Sequence, residues 1–284
     1  MRIAELLARG RTYSFEFFPP KSEEAQAQLT TTITELAPLK PSFFSVTYGA
    51  GGSTRTRTRD VVINMARSGS VSPMAHLTCV SHTREDINSL LGEYKAAGVE
   101  NILALGGDLP ADPSEAAPSD FRFALDLVEH LRASFDVSIG VAAHPEVHPR
   151  SSSRESDRRH LAEKLRRADF AMTQFFFEAH HYLRLRDELS ALGVHKPVIP
   201  GIMPVTNKGQ IVKMAQMSGA EIPRWLTDRL EPLSDAADIR RVGVEVATKL
   251  ASELLEAGAP GLHFYTLNRS TATREIYTNL GLGG

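Results

Sequence analysis

The sequence predicts an α/β fold of the (β/α)8 TIM-barrel type, built as a single domain over residues 1–284. Short apolar or β-branched segments alternate eight times with segments of helical periodicity. Eight such repeats fit the typical size of this barrel, about 250 residues. The first strand-to-helix turn, FFPPKSEEA, lacks the GxGxxG pattern of dinucleotide-binding sheets. An open doubly wound sheet is therefore the less favoured alternative.

Turn residues delimit the eight strand segments. They are TYSFEFF (12–18), SFFSVTY (42–48), MAHLTCV (74–80), ENILAL (100–105), VSIGVAA (137–143), DFAMTQFF (169–176), KPVIPGI (196–202) and GLHFYTL (261–267). Helical periodicity is clearest in residues 84–98, 121–135, 181–193 and 239–258. We also expect a short N-terminal helix, and a longer connection at about 203–260 with an extra helix around PRWLTDRL.

The composition excludes several classes of function. Lys and Arg number 32 against 34 Asp and Glu, so nothing indicates a surface for nucleic acid. The single cysteine, Cys79, excludes an internal disulfide framework and is typical of a reducing compartment. Neither a signal-peptide core nor an apolar run of about 18 residues occurs. We therefore expect a cytoplasmic protein with no membrane partner, and a homo-oligomer is compatible with this composition.

Two segments rich in proline and serine directly follow predicted strands. They are GDLPADPSEAAPS (107–119) and HPEVHPRSSSRES (144–156). Barrels of this type keep their active sites in the loops at the carboxyl ends of the strands. These segments are therefore interpreted as long loops on the functional rim and not as domain linkers.

Polar residues near the ends of several predicted strands should converge on one pocket. The set comprises Glu16, Thr47, Tyr48, His76, Asp108, His144, Gln174, Asn268 and Arg269. Glu16 is the most informative because strand alternation puts Ser14 and Glu16 on one face and Phe15 and Phe17 on the other. A carboxyl group held among aromatic rings should have a raised pKa, which suits a general acid near neutral pH. A buried glutamate paired with a structural arginine is the alternative.

Asp108 and Gln174 are candidate ligand contacts. Asp108 follows two glycines at a strand end, where it could hold an amide of a ligand, stabilise a developing cation or cap the next turn. Gln174 has an amide that needs hydrogen-bond partners if it faces inward. A ligand with donor and acceptor edges and a satisfied core glutamine are both compatible with this position.

No metal-ligating residues are predicted. His144 and His148 are four residues apart in HPEVH, but Pro145 disfavours a helical ligand pair. The first strand also lacks the HxH pair of barrel metallohydrolases. A metallohydrolase is therefore a rival interpretation that metal analysis would test.

Eight segments occur in an order that resembles the methylenetetrahydrofolate reductase family. They are SFEFFPPKS, SVTYGAGGSTRTRT, HLTC, GDLP, HPEVHP, TQFFF, PGIMPV and HFYTLNR, and the resemblance covers about residues 12–282. It implies a (β/α)8 barrel that reduces 5,10-methylenetetrahydrofolate to 5-methyltetrahydrofolate with NADH or NADPH. By position, Glu16 corresponds to the general acid that protonates N10. Asp108, Gln174 and Arg269 correspond to residues that bind the folate substrate.

The resemblance also implies bound FAD. Thr47, His76, Asp157 and Lys164 stand at positions where the family contacts this cofactor. His144 is a further candidate cofactor contact, although the family typically has Tyr or Phe there.

Other positions depart from the family pattern at the flavin. Gly106 replaces an arginine that contacts FAD, and KLRRADF (164–170) is one residue shorter than the family's KVDAGADF and lacks its glycine. Lys208 stands where some relatives have an aromatic residue. Two hypotheses therefore follow, hydride transfer through FAD and direct hydride transfer from NADH. A barrel that binds folate or flavin without catalysis is a rival of another class.

Overall fold

The computed structural model describes residues 1–49, 54–108 and 118–282. Its strands close into a parallel barrel in which each strand pairs with its sequence neighbour and the last pairs with the first. The strands are β1 (Thr12–Phe17), β2 (Phe43–Val46), β3 (Ser72–Thr78), β4 (Asn101–Leu105), β5 (Ser138–Ala143), β6 (Phe170–Phe175), β7 (Val198–Ile202) and β8 (Gly261–Tyr265). The predicted single-domain (β/α)8 barrel is confirmed.

Helices alternate with these strands around the barrel. They are α1 (Ile3–Arg9), α2 (Glu23–Leu36), α3 (Arg55–Ser68), α4 (Arg84–Ala96), α5 (Ala124–Ser134), α6 (Arg154–Arg167), α7 (Ala179–Ala191), α8 (Lys208–Ser218), α9 (Arg224–Leu230), α10 (Ala236–Glu256) and α11 (Thr271–Asn279), with a short 3-10 helix at Ala37–Leu39. Helix α9 corresponds to the extra helix expected around PRWLTDRL. No helix within the described ranges is long and apolar enough to cross a membrane.

The two faces of β1 have different environments. Phe15 and Phe17 are fully buried between the barrel and the outer helices, where the Phe15 ring lies 5.3 Å from the Tyr277 ring on α11. Ser14 and Glu16 therefore face the barrel interior. Strand alternation in the sequence correctly separated these two sets, and the register then decides which residues lie beside Glu16.

Helix α1 closes the amino-terminal end of the barrel. Its first backbone amides donate to side chains at the starts of two strands, from Ile3 N to Asn101 Oδ1 (2.7 Å) and from Ala4 N to Ser138 Oγ (3.2 Å). Ile3 is fully buried and belongs to an apolar cluster inside the barrel. The other buried members are Phe43, Met74, Leu103, Phe170, Met172 and Ile199. This layer fills the lower barrel, so the polar interior residues above it face the carboxyl-terminal rim.

The rim loops are described in part. Residues 109–117 of the predicted loop after β4 and residues 50–53 after β2 lie outside the described residues. The loop after β5 is described throughout. Glu146 Oε1 accepts a hydrogen bond from Glu221 N at 3.1 Å, which ties this loop to the segment between α8 and α9.

Candidate active site

The Glu16 carboxylate lies at the centre of a polar cluster inside the barrel. Glu16 is only 6% exposed. Its Oε2 lies 3.0 Å from His263 Nε2, 3.4 Å from His76 Nε2 and 3.5 Å from Ser45 Oγ. These neighbours come from β8, β3 and β2, so the closed barrel brings together residues from four strands.

A chain of hydrogen bonds extends from Glu16 away from the rim. His263 Nδ1 lies 2.8 Å from Ser14 Oγ, while its Nε2 contacts the glutamate. When His263 carries its proton on Nε2, it donates to the Glu16 carboxylate and accepts from the Ser14 hydroxyl. When Glu16 is protonated, the same chain holds with all the donors reversed. The arrangement therefore accommodates a proton on either partner without moving a heavy atom.

The predicted rise in the pKa of Glu16 is wrong. Burial by itself raises this pKa, but the charge interaction with His76 and the hydrogen bonds from His263 and Ser45 outweigh burial and lower it. Burial also lowers the pKa of His76 to about 4, so His76 is neutral near pH 7. The sequence argument assumed aromatic neighbours, whereas Phe15 and Phe17 point outward.

His76 was predicted as a cofactor contact, and the structure places it beside Glu16. Its buried Nε2 has no hydrogen-bond partner within the described residues, although it faces the carboxylate. An unpaired buried polar atom carries a free-energy cost that a ligand could relieve. His76 is therefore available to a molecule bound over Glu16.

Tyr265 borders the same cluster from β8. Its hydroxyl donates to Thr173 O at 2.8 Å, and its ring lies 5.3 Å from that of His263. Burial and the nearby Glu16 charge raise the pKa of Tyr265, which keeps it a neutral phenol.

The turn after β8 holds the end of β1 in place. Thr266 Oγ1 donates to Glu16 O at 2.6 Å, and the Asn268 amide makes two hydrogen bonds of 2.9 Å to the Phe18 backbone. Leu267 and Asn268 both have positive φ, at 52° and 55°, which is uncommon for residues other than glycine. The predicted substrate residue Arg269 follows this turn and is exposed on the rim.

Gln174 lies at an irregularity of β6. The register with β7 shifts between Met172 and Phe175, and such bulges redirect a side chain. Gln174 is half-buried, and its Oε1 accepts from Phe175 N at 3.0 Å. Its NH2 group makes no hydrogen bond to any described residue, so it can donate to a ligand.

Asp108 is exposed at the carboxyl end of β4. Burial lowers the pKa of His148 in the loop after β5, and the Asp108 charge is one of the effects that oppose this. The loops after β4 and β5 therefore approach each other on the rim.

Three of the predicted cofactor residues lie together where β5 meets α6. The Lys164 amine is buried and donates to Ala142 O at 3.2 Å, and burial lowers its pKa while the Asp157 charge opposes this effect. Asp157 accepts from Ser151 Oγ at 3.2 Å and pairs with Arg158. Burial lowers the pKa of His144 to about 3, so this imidazole is neutral.

Thr47 lies on another side of the barrel, directly after β2. Its amide donates to Phe17 O at 2.9 Å, and its carbonyl accepts from Thr58 Oγ1 at 2.8 Å. Thr47 is therefore separated from the group at β5, and no described contact joins them.

Two positions that depart from the family pattern have clear surroundings. A Cβ atom added to Gly106 would lie 3.4 Å from Arg150 Nη2, so a guanidinium from the loop after β5 covers this glycine. Lys208 Nζ donates to Leu233 O at 2.6 Å, beyond the end of α9. Lys208 therefore anchors the long connection.

The sequence analysis missed His263, Ser45 and Tyr265 as site residues. Each is a polar or amphipathic residue at the inward phase of an otherwise apolar strand, which is the signal that identified Glu16. His263 pairs in register with Ser14, and Tyr265 with Glu16, so strand phase could have found both if the strand order had been known.

Comparisons with known proteins agree with this architecture. The methylenetetrahydrofolate reductase family matches residues 2–281. A 5,10-methylenetetrahydrofolate reductase of Salmonella typhimurium is 40% identical over 95% of this chain and 90% of its own length. The Escherichia coli K12 protein of that name is 39% identical over the same shares. Methylenetetrahydrofolate reductase (NADH) 1 of Arabidopsis thaliana is 35% identical, over 99% of this chain and 50% of its own length.

Among solved structures, the fold is similar to an uncharacterized protein from Clostridium thermocellum described as binding two copies of 5-methyl-5,6,7,8-tetrahydrofolic acid. The TM-score is 0.69 at 14% sequence identity, with 98% of this chain and 96% of that chain covered. At this identity the similarity concerns the fold alone. The match over nearly all residues and the identities near 40% show that this chain belongs to the methylenetetrahydrofolate reductase family.

Proposed function

We propose that this chain reduces 5,10-methylenetetrahydrofolate to 5-methyltetrahydrofolate with hydride taken directly from NADH. The observation that carries the proposal is the buried glutamate at the open end of the barrel, hydrogen-bonded to His263 at 3.0 Å. This arrangement suits the proton delivery that opens the five-membered ring. Family membership and the co-linear segments support the choice of substrate.

Glu16 supplies the proton of the reaction. Transfer from its carboxyl group to N10 breaks the bond between N10 and the methylene carbon and leaves an iminium at N5. Hydride from NADH then adds to that carbon and forms the methyl group, so NADH and one proton are consumed for each NAD⁺ released. A folate lying over Glu16 removes its remaining contact with water, and this further burial raises the pKa toward the protonated form.

Polar groups on the rim supply the substrate contacts in this proposal. The free NH2 group of Gln174 donates to the pterin, and the Asp108 carboxylate stabilises the positive charge of the iminium. Arg269 is exposed and offers a guanidinium to a carboxylate of the folate tail. The neutral His76 borders the reacting carbon beside Glu16.

Direct transfer is supported by the surroundings of the positions where the family contacts FAD. The Arg150 guanidinium covers Gly106, and the His148 ring packs against His144 with 4.5 Å between centroids. Lys164 and Asp157 already have partners in the protein. Side chains of the chain itself thus already contact one another at these positions, which supports a reaction without a flavin.

Isotope transfer tests this proposal with the purified protein and no added flavin. With NADH carrying deuterium at the transferred position, direct transfer puts deuterium in the product methyl group without loss to water. A hydride that passes through a flavin becomes exchangeable with water, so deuterium washout would contradict direct transfer. A stoichiometric flavin content in the visible absorption spectrum would contradict it as well.

Comparison of kcat/KM for NADH and NADPH tests the choice of donor. We expect NADH to be preferred, as the name of the Arabidopsis relative states for that protein. Absence of turnover with both donors, in protein that binds the folate, would contradict the reductase and favour a carrier.

A further inference from the structure

Three metal-ligating side chains converge at the start of α7, apart from the Glu16 cluster. Glu178, His180 and His181 each offer one ligand atom, and these atoms lie within 4.8 Å of one another. The sequence analysis considered only His144 and His148 as metal ligands. The new group arises because Glu178 precedes the first turn of the helix and both histidines lie within it.

Glu146, in the loop after β5, lies beside His181 at the edge of this group. Its Oε1 lies 3.9 Å from His181 Nε2, and Glu178 Oε2 lies 3.9 Å from the same nitrogen. These distances are too long for hydrogen bonds. Ligand atoms on one tetrahedral zinc ion lie roughly 3.3 Å apart, since each bond is about 2.0 Å long. The ligand atoms of Glu178, His180 and His181 lie within 4.8 Å of one another, so a contraction of at most about 1.5 Å would bring them into coordination.

The imidazoles of His180 and His181 form no hydrogen bonds to described residues. Their rings lie side by side, with 4.0 Å between centroids. Their ring nitrogens are therefore open to a ligand.

Other groups orient the two carboxylates. Trp225 Nε1 donates to Glu178 Oε1 at 3.3 Å, which leaves Oε2 directed at His181. The Glu221 amide donates to Glu146 Oε1 at 3.1 Å. Such supporting hydrogen bonds are common around metal ligands and fix their direction.

We propose that Glu178, His180 and His181 bind a divalent transition-metal ion of the zinc class. Two imidazole nitrogens with carboxylate oxygens suit zinc and its neighbours, whereas magnesium and calcium prefer oxygen ligands alone. Because Glu178 is four residues from Gln174, the ion would stiffen the rim beside the proposed folate site.

Calorimetric titration of chelator-treated protein with zinc chloride tests the site without any turnover, so its result is independent of the proposed reaction. We expect saturation at one zinc per chain. His181→Ala and His180→Ala should each raise the Kd at least tenfold, and Glu178→Gln should do so with almost no change in size. H160A, at an exposed position, and H148A are the control variants. Both should bind zinc as the parent does.

Cobalt(II) gives a second readout. Tetrahedral coordination by these side chains should produce a visible absorption band that H181A abolishes, while circular dichroism shows that the variant remains folded. Absence of saturable zinc binding would overturn the proposal. Binding that persists in both H180A and H181A, or that disappears in H148A, would overturn it equally.

Discussion

His263 Nε2 lies 3.0 Å from Glu16 Oε2, and this contact joins β8 to β1 in the interior of the barrel. Burial raises the pKa of the glutamate, and the His76 charge and this hydrogen bond lower it. In the proposed reaction His263 is therefore a positioning residue for Glu16 and not an acid itself.

Exchange of Glu16 for glutamine tests the role of the acid. Glu16→Gln keeps the size and the ability to accept a hydrogen bond but removes the transferable proton. We expect kcat to fall by about 10²- to 10⁴-fold, the usual contribution of general acid catalysis, while the Kd for folate changes little. Steady-state kinetics and equilibrium binding measure the two effects. Unchanged turnover would show that Glu16 is a structural residue.

Loss of His263 should change the pH dependence of the reaction. Without its hydrogen bond, burial of Glu16 is less opposed and the pKa of the glutamate rises. A general acid works in its protonated form, so activity falls as pH rises through its pKa, and a higher pKa moves this fall to higher pH. We expect His263→Leu to displace the alkaline limb of kcat/KM upward, and Ser45→Ala to do so by less. If the alkaline limbs of kcat/KM in both variants are identical to that of the parent, His263 is not a positioning residue for Glu16.

Stability should decrease in acid because of His144. Its pKa is lowered to about 3 in the folded chain, against about 6.5 when unfolded. The contribution of His144 to stability is complete above its pKa in the unfolded chain. It is lost as pH falls toward its pKa in the folded chain, since the unfolded chain binds the proton first. Between these two pKa values, His144 lowers the free energy of unfolding by about 1.4 kcal/mol for each unit by which the pH falls.

Urea denaturation at several pH values measures this slope. We expect His144→Phe to reduce the slope by that amount, and His160→Ala, at an exposed position, to leave it unchanged. An equal slope in the parent and H144F would contradict the assignment.

Two helical glycines should respond in opposite ways to alanine. A Cβ on Gly243 in α10 would lie 1.9 Å from Val205 O, so the helix backbone packs directly on the segment after β7. Gly243→Ala should therefore destabilise the chain by about 2 kcal/mol or more, because backbone must move. Gly92 in α4 has nothing within 4 Å of the added atom, and Gly92→Ala should stabilise by roughly 0.5–1 kcal/mol.

Thermal denaturation compares the two alanine variants with the parent chain. Midpoints that change by similar amounts in the same direction would contradict the close approach at Gly243.

Much of the fold could be predicted from local sequence patterns. Period-two and period-3.6 patterns located the eight strands, although β3 begins at Ser72, two residues before its predicted start. Phe43 pairs with Ser72, so the barrel register extends this strand beyond its apolar run. The ends of such strands depend on pairing with the neighbouring strand, so the local sequence pattern does not predict them.

The sequence by itself determined the eight alternating strands and helices, the separation of the two faces of β1 and the position of Glu16 near its carboxyl end, because strand alternation and strand count are local properties. Only the tertiary structure decided that His263 and Ser45 adjoin Glu16, that the pKa of Glu16 is lowered and that Arg150 covers Gly106. Hydrogen bonding and charge act over a few ångströms in space. Residues almost 250 positions apart therefore set the chemistry of one carboxyl group once the barrel closes.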